Sequence, residues 1–219
     1  MERGERQEMK RFVTFEGIDG SGKTTYALNL IKDLEEQKVE TKYLHFNSTI
    51  TSKLIKYMYN HKKDKERNTN SSNSIIKKQK STSLIKSNLY LFLLILDDIF
   101  FYLYNYKSFH NQNVILICDR YFYDTLAKNL AMNSKSKFLQ KIYYIAFPNP
   151  DIAFLIDISA EAAYIRKREE ALTRLAIQRN CYIEIYRTLP YRKMKIDSSQ
   201  ILKVASKNIF NCIYEIISK

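Results

Sequence analysis

Glycine is nearly missing from this chain. There are four in 219 residues, and three of them, Gly17, Gly20 and Gly22, fall between positions 17 and 22. A sequence that avoids glycine elsewhere keeps it where backbone must turn sharply or come close to a ligand. Proline is equally scarce: Pro148, Pro150 and Pro190 mark two expected breaks, near 148–150 and at 190. The three cysteines, Cys118, Cys181 and Cys212, form no C-x-x-C pair and no metal-finger spacing. That excludes a disulfide framework and a zinc module, and it points to a reducing, cytoplasmic compartment. The opening residues Met1-Glu2-Arg3-Gly4-Glu5-Arg6 lack the apolar core of a signal peptide, so no export is expected. A long uninterrupted apolar run is missing too. Residues 89–96 are apolar and 99–104 nearly so, but Asp97 and Asp98 stand between them. Each central aspartate would cost roughly 2.5–3.5 kcal/mol in a bilayer. The stretch therefore reads as a buried helix, with no membrane involved. Acidic residues are in deficit: 23 against 36 Lys and Arg, a net charge of +13. A positive field attracts phosphate compounds. The chain is also rich in Ile, Asn and Tyr alongside Lys, so compositional bias accounts for part of the charge, and nucleic-acid binding is not expected from it.

What is present alternates between strand and helix patterns. Residues 11–15 read as a strand, 17–22 as a tight turn, and 24–36 as a helix, with Ala27, Leu28, Ile31 and Leu34 at helical spacing. Residues 41–46 read as a second strand and 52–60 as a helix. From 61 to 83 the chain is Lys, Asn, Ser and Thr with almost no apolar residue, which predicts a polar mobile insertion. A long helix is expected over 83–106. The unbroken apolar runs 114–118 and 152–156, each followed by an aspartate (Asp119 and Asp157), read as strands buried on both faces. Helices are expected over 134–146, 160–187 and 200–217, with a last strand at 193–196. Strands alternating with helices give an α/β fold with a parallel sheet covered on both faces, in one domain. Ligands in such sheets sit at the carboxyl ends of the strands.

Three groups of residues carry chemistry. Gly17-Ile18-Asp19-Gly20-Ser21-Gly22-Lys23-Thr24 fits G-x-x-x-x-G-K-[ST], after a strand and opening a helix. Backbone N–H groups of such a turn curl around an anion, and the helix N-terminus adds partial positive charge. Lys23 neutralises the β- and γ-phosphates, and Thr24 gives its hydroxyl to Mg²⁺. The expected ATP contacts are Gly17, Asp19, Gly20, Ser21, Gly22, Lys23, Thr24 and Thr25. Asp119-Arg120-Tyr121 closes a buried strand. A carboxylate there suits Mg²⁺ or a proton, and Arg120 suits a bidentate phosphate contact. Water-activating ATPases usually place a second carboxylate after this aspartate. Arginine follows here, so transfer to an acceptor is expected. The third group is the cluster Arg166, Arg168, Arg174 and Arg179 in a lid-like segment, 166–182, which stabilises charge in phosphoryl transfer or lies as a solvated helix face against Glu169, Glu170 and Glu184. The three histidines, His45, His61 and His110, show no ligand or triad pattern.

These motifs resemble the thymidylate kinase family. Phe15-Glu16-Gly17-Ile18-Asp19-Gly20-Ser21-Gly22-Lys23-Thr24-Thr25 is similar to that family's phosphate loop, Asp119-Arg120-Tyr121 to its second motif, and Pro150-Asp151, Arg179-x-x-Tyr182 and Ile196-Asp197-Ser198-Ser199 to later stretches. The resemblance implies a P-loop kinase with a five-stranded parallel sheet and helices on both faces. It implies ATP and Mg²⁺, and dTMP converted to dTDP. It also implies that Asp19 and Arg120 meet the acceptor, and that Gly20 together with lid arginines replaces an arginine carried in the loop. Departures fall on the acceptor side: His45-Phe46-Asn47-Ser48-Thr49, Ile95-Leu96-Asp97-Asp98-Ile99, Asp124, and Ala127-Lys128-Asn129 stand where the family has other residues.

The expectations are therefore these. Lys23, Arg120, Asp119 and Arg174 are catalytic; Asp19, Arg120, Asp98 and Asn129 bind the acceptor; Thr24 and Asp119 hold Mg²⁺. The partner is a nucleoside monophosphate, dTMP foremost, and a homodimer is allowed. Two other readings fit the same sequence. One is a related kinase for another phosphorylated or hydroxylated acceptor. The other is a nucleic-acid-binding P-loop protein whose contact surface is 62–80.

Overall fold

The computed structural model describes residues 12–46, 92–109, 114–131 and 137–217. The expected helix at 52–60 and the polar insertion at 61–83 lie outside them. The described chain builds β1 (Phe12–Glu16), α1 (Lys23–Glu36), β2 (Thr41–His45), the helical stretch α2 (92–104), a short turn of helix α3 (Tyr106–Phe109), β3 (Ile115–Asp119), α4 (Phe122–Ala131), α5 (Lys137–Ala146), β4 (Ile152–Asp157), α6 (Ala160–Arg166), α7 (Leu172–Thr188), β5 (Lys193–Asp197) and α8 (Leu202–Ile217). The five strands form one parallel sheet in the order β2-β3-β1-β4-β5.

Alternation along the strands explains why helices cover both faces. Val13, Phe15, Ile115, Ile117, Ile152, Phe154 and Ile156 turn to one side, where Ala27, Leu30 and Leu34 of α1 and Ala205, Ile209 and Ile213 of α8 pack on them. Phe12, Leu116, Cys118, Ala153 and Leu155 turn to the other, against Ile95 of α2, Leu126 of α4 and Leu175, Tyr182 and Ile185 of α7. Three central strands, β1, β3 and β4, are buried at every position. That is the physical content of their unbroken apolar runs.

The structure departs from the expected elements in three places. The helix expected over 160–187 is two helices, with 167–171 between them; Ser159 caps the first, its Oγ accepting from Ala162 N at 3.2 Å. Of the helix expected over 83–106, residues 83–91 lie outside the described part; the rest is helical at 92–104 and breaks at Asn105, whose Nδ2 donates to Phe101 O at 2.9 Å. Helix α4 covers Phe122–Ala131, where the sequence reading assigns no element between Asp119 and residue 134. The rings at its start pack into the core, with Tyr121–Phe122 centroids 4.6 Å apart, Phe122 stacked on Phe147 at 4.9 Å, and Tyr121 Oη donating to Pro148 O at 2.8 Å.

Helix α2 shows an unusual outer face. Phe92, Leu96, Phe100 and Leu103, spaced on one side of the helix, are exposed, while Leu94, Ile95, Asp97 and Asp98 turn inward. No helix among the described residues is long and apolar enough to cross a membrane.

Candidate active site

The loop between β1 and α1 lies at the carboxyl edge of the sheet's central strand. Its glycines are required by space and by backbone. Gly17 has φ 144°, and a Cβ there would collide with the Ile156 carbonyl of β4. Gly20 has φ 85°, and a Cβ would stand 2.6 Å from the Ala163 carbonyl of α6. No side chain fits at Gly20 unless α6 moves, so an arginine cannot be carried in the loop at this position. Cationic help must come from elsewhere. Ser198, after β5, fastens the loop from behind, its Oγ donating to Ser21 O at 2.7 Å.

Lys23 folds over this loop, donating to Gly17 O at 2.7 Å and Ile18 O at 2.8 Å, and it is nearly fully buried. Burial, reinforced by the nearby Arg120 guanidinium, lowers its pKa to about 8, against the pull of Asp124, Asp19 and Asp119. An anion entering the loop would favour the charged form.

Asp119, at the end of β3, is fully buried. Its Oδ2 accepts from Thr24 Oγ1 at 2.5 Å and from Tyr43 Oη at 3.0 Å, and lies 3.1 Å from His45 Nδ1. Its Oδ1 has no hydrogen-bond partner among the described residues. A buried carboxylate oxygen without a partner is costly and usually has a use. The oxygen pair Thr24 and Asp119 fits the hard-oxygen, few-protein-ligand habit of Mg²⁺, which takes its remaining ligands from phosphates and water. Tyr43 and His45 were not expected here. They reach Asp119 because β2 pairs with β3 in the register His45↔Asp119. Period-two spacing of the two side chains is the only trace of this in the sequence.

Arg120 occupies a left-handed backbone position, φ 69°, held by its N–H donating to Phe15 O at 2.9 Å. A non-glycine residue there costs of order 1–3 kcal/mol, and such residues cluster at functional sites. Its guanidinium bonds Asp19 through Nη2 and both oxygens of Asp124 through Nη1, at 3.1 Å each. Burial works against its charge, but the Asp124 and Asp19 carboxylates outweigh it and raise its pKa. Glu16, beneath the loop, is buried and its carboxylate oxygens have no hydrogen-bond partner among the described residues. Burial first, and then Asp124, push its pKa well up, which favours a neutral carboxyl.

Around these groups lies a cleft of about 360 Å³, lined by Asp19, Gly20, Gly22, Lys23, Thr24, Thr25, Arg120, Arg166 and Lys167. The structure thus brings together the phosphate loop and Arg120, with Asp119 bonded to Thr24 on its wall. Of the arginine cluster, only Arg166 lines this cleft, its guanidinium held by Ser198 Oγ at 3.0 Å and Ser198 O at 3.1 Å. Arg174 lies on the far side of 167–171, about half exposed, with Glu170 at 3.6 Å. Arg179 is committed to Asp157 through two bonds of 2.6 and 2.8 Å. Arg168 is exposed. Asp98 is fully buried on α2, away from the cleft lining, and Asp97 is nearly so. Asn129 lies on α4, and its side chain is outside the described part, as are His61 and His110. Asp151 does structural work at the opposite edge, where its Oδ2 accepts from Phe12 N at 2.6 Å.

Comparison with known proteins agrees with this geometry. The family model described as thymidylate kinase matches residues 15–209. The chain is 29% identical to a probable thymidylate kinase of Sulfurisphaera tokodaii, over 92% of this chain and 95% of the relative. It is 27% identical to probable thymidylate kinase 1 of Saccharolobus solfataricus, over 92% and 100%. It is 24% identical to the thymidylate kinase of Plasmodium falciparum, over 95% and 90%.

Proposed function

The chain belongs to the thymidylate kinase family, and from that premise we propose that it transfers the γ-phosphoryl group of ATP to dTMP, giving dTDP. The observation that carries the reading is one cleft lined by the phosphate loop with Lys23 and by Arg120, two cations that meet at the Asp19 carboxylate. Donor and acceptor phosphates repel each other, and a protein that fixes one against each cation brings them in line while offsetting that repulsion. Little covalent chemistry is asked of the chain. Loop N–H groups and Lys23 take the donor phosphates; Arg120, steadied by Asp19 and Asp124, takes the acceptor phosphate. Thr24 and Asp119 are the residues that would hold Mg²⁺, which when bound neutralises phosphate charge. Asp119 also accepts from Tyr43, so its carboxylate is fixed before any ligand arrives. Asp19, Asp98 and Asn129 remain assigned to acceptor recognition. Arg174 keeps its assignment as the lid arginine in a closed form of 166–182. Arg166 is the arginine already at the cleft, and comparing kcat of Arg166→Ala with that of Arg174→Ala tells which one the transfer uses. The chain is read as one cytoplasmic domain.

The test is kcat/KM for dTMP, dUMP, UMP, CMP and GMP at one ionic strength. We expect dTMP to be preferred, by less than about a thousandfold, because Asp97-Asp98 and Ala127-Lys128-Asn129 change the acceptor wall. No turnover of any monophosphate would overturn the reading and favour a different acceptor. A homodimer is supported by the exposed apolar face of α2. Phe100→Glu should then shift sedimentation from dimer to monomer without loss of fold; an unchanged sedimentation coefficient would sink it.

A further inference from the structure

Arg120 does not choose its own direction. Asp124, one turn along at the start of α4, grips Nη1 with both oxygens at 3.1 Å, while Asp19 of the loop holds Nη2. Asp124 is held in turn by the Tyr182 hydroxyl, which donates to its Oδ1 from the middle of α7. Both Asp124 and Tyr182 are nearly fully buried, at 6% and 3% exposure. Burial and then Asp124 push the Tyr182 pKa well up, so the hydroxyl keeps its proton and stays a donor. A first-turn aspartate can act merely by favouring its own helix N-terminus. Here its oxygens point sideways, to an arginine and to a tyrosine from another helix, which such a role does not require. Asp19 is shared with the Lys23 ammonium at 3.8 Å, so the two carboxylates and two cations sum to about zero, and Asp124 offsets the charge that Arg120 could offer. A phosphate dianion arriving at Arg120 must therefore compete with Asp124. A hydrogen bond from Tyr182 draws charge off Asp124 and weakens that competition.

We propose that Asp124 and Tyr182 are a positioning pair for the kinase reaction: Asp124 aims Arg120 and limits its pull on the acceptor phosphate, and Tyr182 relieves that limit when α7 is in place. The inference rests on the acceptor-side role of Arg120 proposed above. It makes α7, the helix that carries Arg174 and Arg179, a determinant of acceptor affinity, through two buried side chains rather than through contact with substrate.

The experiment is a double-mutant cycle on the full chain with dTMP and Mg-ATP. Tyr182→Phe should raise the dTMP KM about fivefold and leave the ATP KM unchanged. Asp124→Asn should lower or hold the dTMP KM while lowering kcat about tenfold, because the aim of Arg120 is loosened as the competing charge is removed. In the double variant, Tyr182→Phe should have no further effect on KM, since the charge that it modulates is gone. If Asp124→Asn does not fold, Asp124→Ser takes its place in the cycle. Equal Tyr182→Phe effects in both backgrounds, or an ATP KM that moves as far as the dTMP KM, would overturn the proposal. A second readout does not depend on turnover: inorganic phosphate binding, measured as a thermal shift with the loop filled by a non-hydrolysable ATP analogue and Mg²⁺. Asp124→Asn should tighten it, Tyr182→Phe weaken it, and Arg120→Ala remove it. If the wild-type chain phosphorylates no monophosphate, the proposed function fails by itself, and the phosphate-binding cycle still decides on the pair. The same phosphate affinity in all three variants would end the inference.

Discussion

A Lys23→Ala protein is expected to fold and to lose about 10²–10³-fold in kcat, the cost of removing one preorganised charge from a transfer site. The argument runs from burial. Lys23 is 5% exposed and its ammonium lies against two loop carbonyls, so the positive charge is held in a low-dielectric place where an anion gains most from it. The fold tolerates the loss for the same reason. A buried ammonium is costly to keep, which shows in the lowered pKa, and replacing it by a methyl group offsets much of what the two hydrogen bonds to Gly17 and Ile18 contributed. The melting temperature should therefore move by only a few degrees while transfer nearly stops. The check is a coupled assay for ADP beside a thermal melt. A folded Lys23→Ala protein with wild-type turnover would remove the phosphate loop from the chemistry.

Arg120→Ala is expected to raise the acceptor KM and lower kcat, together about 10²–10³-fold in kcat/KM, and to spare ATP binding measured by calorimetry without acceptor. Two effects are folded together in this variant, because the position combines a guanidinium with a left-handed backbone. Glycine separates them. Arg120→Gly loses the same side chain but adopts φ 69° readily, so it should be more stable than Arg120→Ala by about 1 kcal/mol and equally poor with acceptor. Both variants also leave Asp19 and Asp124 without that cation between them, which raises local repulsion and should lower stability below wild type. A large loss of ATP affinity in either variant would move Arg120 to the donor side.

The donor half was legible because it is local. Eight consecutive residues specify strand end, turn and helix start, and Lys23 and Thr24 lie within them. The three buried strands were legible because burial on both faces leaves no polar positions to alternate. The partners of Asp119 were not, because Tyr43 and His45 lie 76 and 74 positions away in sequence and are brought in only by strand register. Nor was the choice of arginine at the cleft. It depends on the break at 167–171, which carries no glycine or proline to announce it. Asp124 stood out as a departure beyond the second motif, but its pairing with Arg120 was not read from the sequence. Tyr182 could not be connected to it from sequence, since 58 residues separate them.

The strand order has a bearing on how the chain comes to be assembled. β1 is made before the strands that flank it: it sits in the centre of the sheet, and its two neighbours, β3 and β4, begin over a hundred residues later. The loop at its end is backed by the Ile156 and Ala163 carbonyls and tied down by Ser198, later still. Pairings this distant make folding slow, and a nascent chain cannot form them until most of it has left the ribosome. The nucleotide-binding turn is thus synthesised well before the residues that complete it. Chains truncated before β4 have no wall for Gly17 to rest on, and they emerge with an exposed, strongly apolar β1 that chaperones must shield.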